Sequence, residues 1–490
     1  MYIPLSYYNE LGDIEVISHH GQLHLFHLVL PNRDIVGHAV SDDGLSWETL
    51  PPAISTGNPG ACDDDMIRTV SVTKKGRLFY MLYTACSRAE GGRVQMVALA
   101  TSLDLISWDK YKNNPVSEAS KPYYEKQLVP LKNVSWRDPK PYFQDGVYYC
   151  LINGRTNYGP FLRRGCIALV TSDDLIHWEV QKPLFAPMKY FDLECPQLYR
   201  IGNYYYIFAS VMEDNSQRYW ISKDLNGPYI TPQNNKIIPE GSHYAGRVTT
   251  FQGKDIFCCW LRSKGDGPNP YGLFPFQGKE LRYVPSPLEI HQNKDGTLVF
   301  HQYDNWKKYC CSNTEKLSSF DLEALIENTS ASFEEVNMKL SVIEGIELVT
   351  TKKNAYQDFL IEGKIMLQGH LGGICFHVDE ESGGYFIEMY PSQSTIKLIK
   401  HLKVSNVELM YDYFDYQIIQ ENVYQIDLPM EKAFALRHVK GEVEFSINGE
   451  VVLSTISTTR NTGKVGFFVE SGTIRFEDLQ ITNMDAPNIT

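Results

Sequence analysis

The chain has 490 residues, 43% hydrophobic and 21% charged, ordinary proportions for a globular protein with room for more than one domain. Its formal net charge is −13, which argues against a nucleic-acid partner, since that role needs a basic footprint. No run approaches the roughly 20 apolar residues of a membrane-spanning helix, so no membrane partner is expected.

The opening, MYIPLSYYNELGD, has neither a basic n-region nor an apolar h-region, and no secretory leader is expected. Five later stretches share one pattern: strand, Gly-containing turn, aromatic-rich strand. They begin near Asp13, Ile67, Asp138, Glu194 and Tyr244. Three further segments repeat between them: HAVSDDGLSWETL, ALATSLDLISWDKY and ALVTSDDLIHWEVQ. Their tryptophans, Trp47, Trp108 and Trp178, stand 61 and then 70 residues apart, and a degenerate fourth copy begins at Trp220. Short strands recurring with a Ser-Asp turn predict propeller blades, five of them, with the tryptophans packing between blades.

The segment VPSPLEIHQNKDGTLVF, residues 284–300, reads as a closing strand pair. From Trp306 to about Val336 the spacing is acidic and helix-compatible, and suits a linker helix or a strand lead-in. From Asn337 onward short alternating strands resume, with Asn448-Gly449 and Ser471-Gly472 turns, the pattern of a β-sandwich. The expected architecture is therefore all-β: a five-bladed β-propeller over 1–305 and a β-sandwich over 306–490, with a linker at its start. The ten cysteines form no CxxC pair; with no leader they read as reduced thiols, and the cytoplasm is the expected location. No His/Cys cluster with metal spacing stands out, so neither a metal nor another cofactor is expected; His19 and His20 are adjacent, hence on opposite strand faces.

Two short runs carry chemistry. Trp136, Arg137, Asp138 and Pro139 open one strand unit, and Asp192, Leu193, Glu194, Cys195 and Pro196 open the next. Each puts an acidic residue at the start of a strand. Units arranged around an axis make such carboxylates converge, which is what glycoside hydrolysis needs: an acid for the leaving oxygen and a carboxylate on the other face of the sugar. The bland alternative is a structural Arg137–Asp138 ion pair and an exposed turn residue at Glu194; recurrence of the context favours the site.

With these motifs in view, the chain resembles glycoside hydrolase family 32, the β-fructofuranosidase, levanase and invertase group. The RDP run is similar to that family's transition-state stabiliser motif and the ECP run to its acid/base motif. HAVSDDGLSW resembles its first-blade turn, and PSPLEIHQNKDGTL its closing segment. The family's nucleophile lies in a Trp-Met-Asn-Asp-Pro-Asn-Gly type run on the first blade. Here that place holds Glu10, Leu11, Gly12, Asp13, Ile14 and Glu15, so the resemblance makes Asp13 the nucleophile, with Glu15 as fallback. It implies a retaining hydrolase acting on an oligosaccharide: Asp13 attacks, Glu194 is acid and then base, Asp138 stabilises the oxocarbenium-like state, and Arg137 orients Asp138 and tunes Glu194. Cys195, inside the ECP run, is expected at the substrate.

The departures lie in the sugar pocket. The family's Asn before the nucleophile is Gly12, its Gln on the next strand falls near Leu28, its Trp before Gly-His-Ala is Val36, and its Phe-Ser-Gly run is replaced around Met66, Ile67, Arg68 and Thr69. A rebuilt pocket is expected, with Asp63, Asp64, Asp65 and Arg68 as new polar contacts, Asp65 and Arg68 foremost. The alternatives are an inverting arabinofuranosidase-like hydrolase, a non-catalytic glycan-binding propeller, and a scaffold for protein partners.

Overall fold

The computed structural model describes residues 1–4, 10–127, 133–238, 243–262, 282–318, 321–326, 330–334, 337–353, 356–406, 410–425, 430–457 and 462–485. Apart from short 3-10 turns, the regular elements among these residues are strands. The first sheet joins β1 (Leu11–His19), β2 (Gln22–Val29), β3 (Ile35–Ser41) and β4 (Glu48–Ser55). The second joins β5 (Met66–Lys75), β6 (Leu78–Cys86), β7 (Gln95–Ser102) and β8 (Asp109–Lys110). The third joins β9 (Trp136–Gln144), β10 (Val147–Arg155), β11 (Gly165–Ser172) and β12 (Glu179–Val180). The fourth has β13 (Leu193–Ile201), β14 (Tyr204–Val211) and β15 (Ser216–Ser222).

Local chemistry sets these meanders. Asp145 and Gly146 take φ of 52° and 86°, the primed-turn geometry whose twist suits a hairpin, and Gln144 pairs with Val147 across it. The Ser-Asp turns are one repeated device. In each of the first three, the serine Oγ (Ser41, Ser102, Ser172) donates to the aspartate two residues on (Asp43, Asp104, Asp174). That carboxylate then accepts two backbone N–H groups at 2.8 Å, closing the turn with local side-chain bonds. Trp108, just before β8 of the second sheet, meets Phe26 in the first edge-on at 5.9 Å, the inter-blade packing the repeat predicts.

The sequence predicts five separate blades; the structure has four. The fifth candidate unit, from Tyr244, forms β16 (His243–Phe251) and β17 (Lys254–Arg262), followed by β18 (Arg282–Tyr283), β19 (Leu288–Gln292) and β20 (Leu298–Gln302). These open a 17-stranded sheet that runs on to the last strand of the chain. The reason lies in β20, whose His301 pairs with Glu450. Its outer edge is thereby joined to a C-terminal hairpin instead of ending a blade. The first strands β1, β5, β9 and β13 stand side by side around one axis, and β16 packs between β13 and β1.

Beyond β20, Asp304–Tyr309 is a 3-10 turn holding the buried Trp306, and Cys310–Lys316, Leu322–Ile326 and Ser330–Glu334 are strands. Of the two readings of this stretch, the described residues take the strand lead-in. The long strands Asn337–Thr351, Phe359–Val378 and Lys464–Met484 then pair antiparallel over a core that includes Leu340, Ile361, Phe376, Phe467 and Phe476. Each such buried side chain contributes roughly 1.5–3 kcal/mol of transfer free energy. A buried polar knot joins this part to the blades. Ser286 Oγ donates to a Glu442 carboxylate oxygen, Trp306 Nε1 donates to Ser286 Oγ at 2.9 Å, and Arg437 bridges Glu442 (2.8 Å) and Glu444 (2.6 Å) while its guanidinium lies 4.1 Å from the Trp306 ring centroid.

Candidate active site

Each strand around the axis carries a one-residue β-bulge near its start. The register shifts between Leu11 and Ile14 on β1, Arg68 and Val70 on β5, Arg137 and Lys140 on β9, Glu194 and Gln197 on β13, and Tyr244 and Arg247 on β16. A bulge bends the strand and re-aims a side chain. Three residues within these bulges, Asp138, Cys195 and Ala245, have φ near 50–59°, the strained left-handed region. Aligning β5, β9, β13 and β16 by their bulges, and β1 by the contacts of Asp13 with Thr69 and of Glu15 with Lys140 and Arg247, gives three tiers about the axis: Gly12, Arg68, Arg137, Glu194 and Tyr244 uppermost; Asp13, Thr69, Asp138, Cys195 and Ala245 below; Glu15, Ser71, Lys140, Gln197 and Arg247 as the floor.

The middle tier is where carboxylates meet. Ligand atoms of Asp13, Asp138 and Cys195 all lie within 4.8 Å of one another. Asp13 is half-buried; Thr69 Oγ1 donates to its Oδ2 at 2.5 Å and Trp260 Nε1 to its Oδ1 at 3.4 Å. Asp138 is buried. Its own N–H donates to Thr84 Oγ1 at 2.9 Å, and the Cys195 N–H donates to its Oδ2 at 2.9 Å. Its Oδ1 is buried and accepts no hydrogen bond from the described residues. Burial first, then the charges of Asp13 and Glu194, outweigh the pull of Arg137 and raise the Asp138 carboxyl to about 6. Burial pushes the Cys195 thiol well up, and the neighbouring Asp13 and Asp138 push it further; it is a neutral wall group, its backbone N–H the polar contact.

In the upper tier Arg137 is a hub. Its Nη2 donates to Glu194 Oε1 at 2.6 Å and Asp192 Oδ2 at 2.9 Å, its Nη1 to Ser135 Oγ at 3.0 Å, and its Nε lies 3.7 Å from Asp138 Oδ2. Burial alone would lower its pKa; Asp192, Glu194 and Asp138 together raise it well above the ordinary value, so it stays charged. Tyr244 O–H donates to Glu194 Oε2. Burial and then the Glu194 charge drive the Tyr244 phenol far up, which keeps that proton in place. Glu194 thus has a donor on each oxygen, with its side chain 19% exposed toward the cleft.

Glu15 is in the floor, not the pocket. It is fully buried, bonded to Lys140 and 3.1 Å from Arg247 Nε, so it closes the base of the site rather than facing substrate. Arg247 also donates to the Cys195 carbonyl at 2.7 Å, holding the strained bulge beside Asp138. The acidic turn before β5 divides. Asp63 is taken by Lys110 and Tyr83, and Asp64 accepts from the Gly60 and Arg88 N–H groups, so both are structural. The Asp65 N–H donates to the Cys86 carbonyl at 3.1 Å, and its carboxylate lies against Gly92. Arg68 takes the upper tier. The sequence reading names Asp192 and Thr69 only as members of their runs and Tyr244 only as a strand start, and gives no site role to these three or to Trp260. Tyr244 was within reach: His243-Tyr244-Ala245-Gly246-Arg247 aligns with Leu193-Glu194-Cys195-Pro196-Gln197 once both are read as bulged strand starts.

Comparison with known proteins agrees with this geometry. The family profile described as glycosyl hydrolases family 32 N-terminal domain matches residues 12–302. Among curated proteins, the sucrose-6-phosphate hydrolase of Zymomonas mobilis is 25% identical over 270 residues, 49% of this chain and 50% of the relative. An insoluble β-fructofuranosidase of Arabidopsis thaliana is 25% identical over 406 residues, 72% of this chain and 64% of the relative. The chain thus spans about half to two thirds of the length of these relatives. Among solved structures, fructan 1-exohydrolase IIa from Cichorium intybus aligns with a TM-score of 0.69 at 16% identity, over 98% of this chain and 96% of that one. Sucrose-6-phosphate hydrolase from Lactobacillus gasseri aligns with 0.69 at 17% identity, over 99% and 92%. At such identities the structural likeness speaks for the fold.

Proposed function

The chain belongs to glycosyl hydrolase family 32, and from that premise we propose that it hydrolyses a furanoside, β-fructofuranoside-like, with Asp13 as nucleophile, Glu194 as acid/base and Asp138 as stabiliser. The observation that carries this is the convergence of three carboxylates, from strands far apart in sequence, on one axial pocket. Asp13 attacks the anomeric carbon as Glu194 gives its proton to the leaving oxygen, so the C–O bond breaks and a glycosyl ester forms on Asp13. Glu194 then takes a proton from water, whose oxygen displaces Asp13, and the anomeric configuration is retained. Thr69 and Trp260 aim the attacking carboxylate. Arg137 and Tyr244 hold Glu194 at the edge of the cleft. The unpaired Oδ1 of Asp138 suits a sugar hydroxyl, a contact that strengthens as positive charge grows on the ring.

In this reading residues 1–305 form the catalytic part and 306–490 a β-sandwich packed against it, an arrangement supported by structural neighbours that cover nearly the whole chain. A cytoplasmic location belongs to the same proposal. It is supported by ten cysteines that stand as free thiols and is checked by cell fractionation. The substrate is an oligosaccharide; the neighbouring structures include a fructan exohydrolase with 1-kestose. The test is an NMR time course on sucrose, sucrose 6-phosphate, short fructans and arabinofuranosides. Wild type releases a sugar from at least one of them, and Glu194→Ala and Asp13→Ala each lose about a thousandfold in kcat. Tight sugar binding without release from any of them moves the assignment to a glycan-binding propeller.

A further inference from the structure

We infer that the pocket beside Asp13 takes a furanosyl unit carrying an anionic substituent, a carboxylate or a phosphate, bound by Arg68 and Arg33. The inference rests on the furanoside reading above and names the substrate class within it. Arg68 holds the upper-tier position of β5, next to Thr69, which bonds Asp13. Its Nε is buried and has no hydrogen-bond partner among the described residues. Arg33, in the β2–β3 turn at the same end of the axis, has φ of 57°, and its carbonyl accepts the Ile67 N–H at 2.9 Å, which ties that turn to the residue before Arg68. A third guanidinium, Arg282, lies 4.7 Å from the ring centroid of Trp260, whose indole bonds the other Asp13 oxygen.

Three like charges therefore gather around one carboxylate. Arg33 feels this: burial, then the repulsion of Arg68, depresses its pKa, with Asp13 opposing and Arg282 adding to the repulsion. Neither Arg33 nor Arg68 forms an ion pair among the described residues, and the site's own carboxylates do not need them. Asp138 and Glu194 already have Arg137 within 3.7 and 2.6 Å, and the Asp13 oxygens have Thr69 and Trp260. Holding the partly buried guanidiniums of Arg33 and Arg68 together, with the single charge of Asp13 between them, is costly unless a ligand supplies further negative charge. Guanidinium forks suit carboxylate and phosphate oxygens in two-point contacts. In a chain of net charge −13, such a cluster at a pocket is selective rather than a by-product of overall composition. On the β1–β2 side Gly12 lies against Leu28, which pairs with Val36, so that side offers no polar side-chain grip for a neutral ring.

The test is titration calorimetry of the full chain with fructose, fructose 6-phosphate, fructose 1-phosphate, 2-keto-D-gluconate and glucose 6-phosphate. The 2-keto acid carries a carboxylate on the anomeric carbon of the same ring; glucose 6-phosphate carries the anion on the wrong ring. At least one anionic furanose binds about tenfold or more tightly than fructose, and the preference weakens with salt. Which one binds separates the phosphate from the carboxylate. Arg68→Gln and, independently, Arg33→Gln shrink the anionic-to-neutral affinity ratio at least about threefold. Equal affinity for fructose and all anionic furanoses overturns this inference and leaves the furanoside reading standing, as does a ratio indifferent to both substitutions. Equal binding of glucose 6-phosphate also overturns it. Binding of no furanose at all, with no release in the NMR panel, overturns both.

Discussion

At the residue scale, the site places a buried acid where burial works against the fold. Asp138 is 1% exposed and its carboxyl sits near 6, above the ordinary Asp value. Below about pH 4 the group is neutral whether the chain is folded or unfolded. Between the ordinary value and about 6, only the unfolded chain ionises it, so its contribution to stability falls as pH rises through that window and is flat above. Asp138→Asn cannot ionise and keeps a residue type that tolerates positive φ. Urea melts are expected to show the variant gaining on wild type from pH 4 to pH 7, by up to about 3 kcal/mol, while sugar release is lost. A stability gap that does not change with pH would contradict the account. Asp138, Glu194 and Arg137 were legible in the sequence because Pro follows closely and the acidic context recurs. Glu15 was misplaced because a two-residue period tells which side of a strand a residue faces and nothing about its depth along the axis.

At the element scale, the common device is the bulged strand start. On β9, β13 and β16 it throws one side chain upward, puts one residue at positive φ, and sends the residue two further on into the floor. Proline or glycine follows the strained residue in each: Pro139, Pro196 and Gly246. That trace is short, and one strand alone does not reveal it. The floor holds the bulges in place, since Arg247 joins the Cys195 carbonyl to the buried Glu15 and Lys140. Arg247→Met removes one cation from a buried ion network and is expected to destabilise the protein by about 3–5 kcal/mol. Chemical denaturation checks this; a loss under about 1 kcal/mol would mean that the floor carries no strain from above.

At the scale of the whole molecule, the strand pattern and the repeat gave away an all-β chain with blades, but not where the blades stop. Local alternation marks strands, whereas the pairing of His301 with Glu450 joins residues about 150 apart and leaves no local sign. The knot of Ser286, Trp306, Arg437 and Glu442 makes the same point energetically, for Glu442 holds Arg437 within its own part and Ser286 across the junction. The two parts are therefore expected to unfold in one calorimetric transition. Glu442→Ala, which removes the acceptor of Ser286 and one of the two carboxylates that hold Arg437, lowers the midpoint or splits the transition. Two well-separated transitions in the wild type would show that the junction couples nothing.

The most direct check on the division of labour is mass spectrometry of protein quenched in acid during turnover on the released furanoside. On a furanosyl fluoride of that sugar, whose leaving group needs no protonation, Glu194→Ala forms its intermediate but is slow to hydrolyse it, and is expected to accumulate one anhydro-sugar on the peptide containing Asp13, and Asp13→Ala none. No adduct on Asp13, together with a first-formed sugar of inverted configuration, would remove Asp13 as nucleophile and make it the base of a single-step displacement.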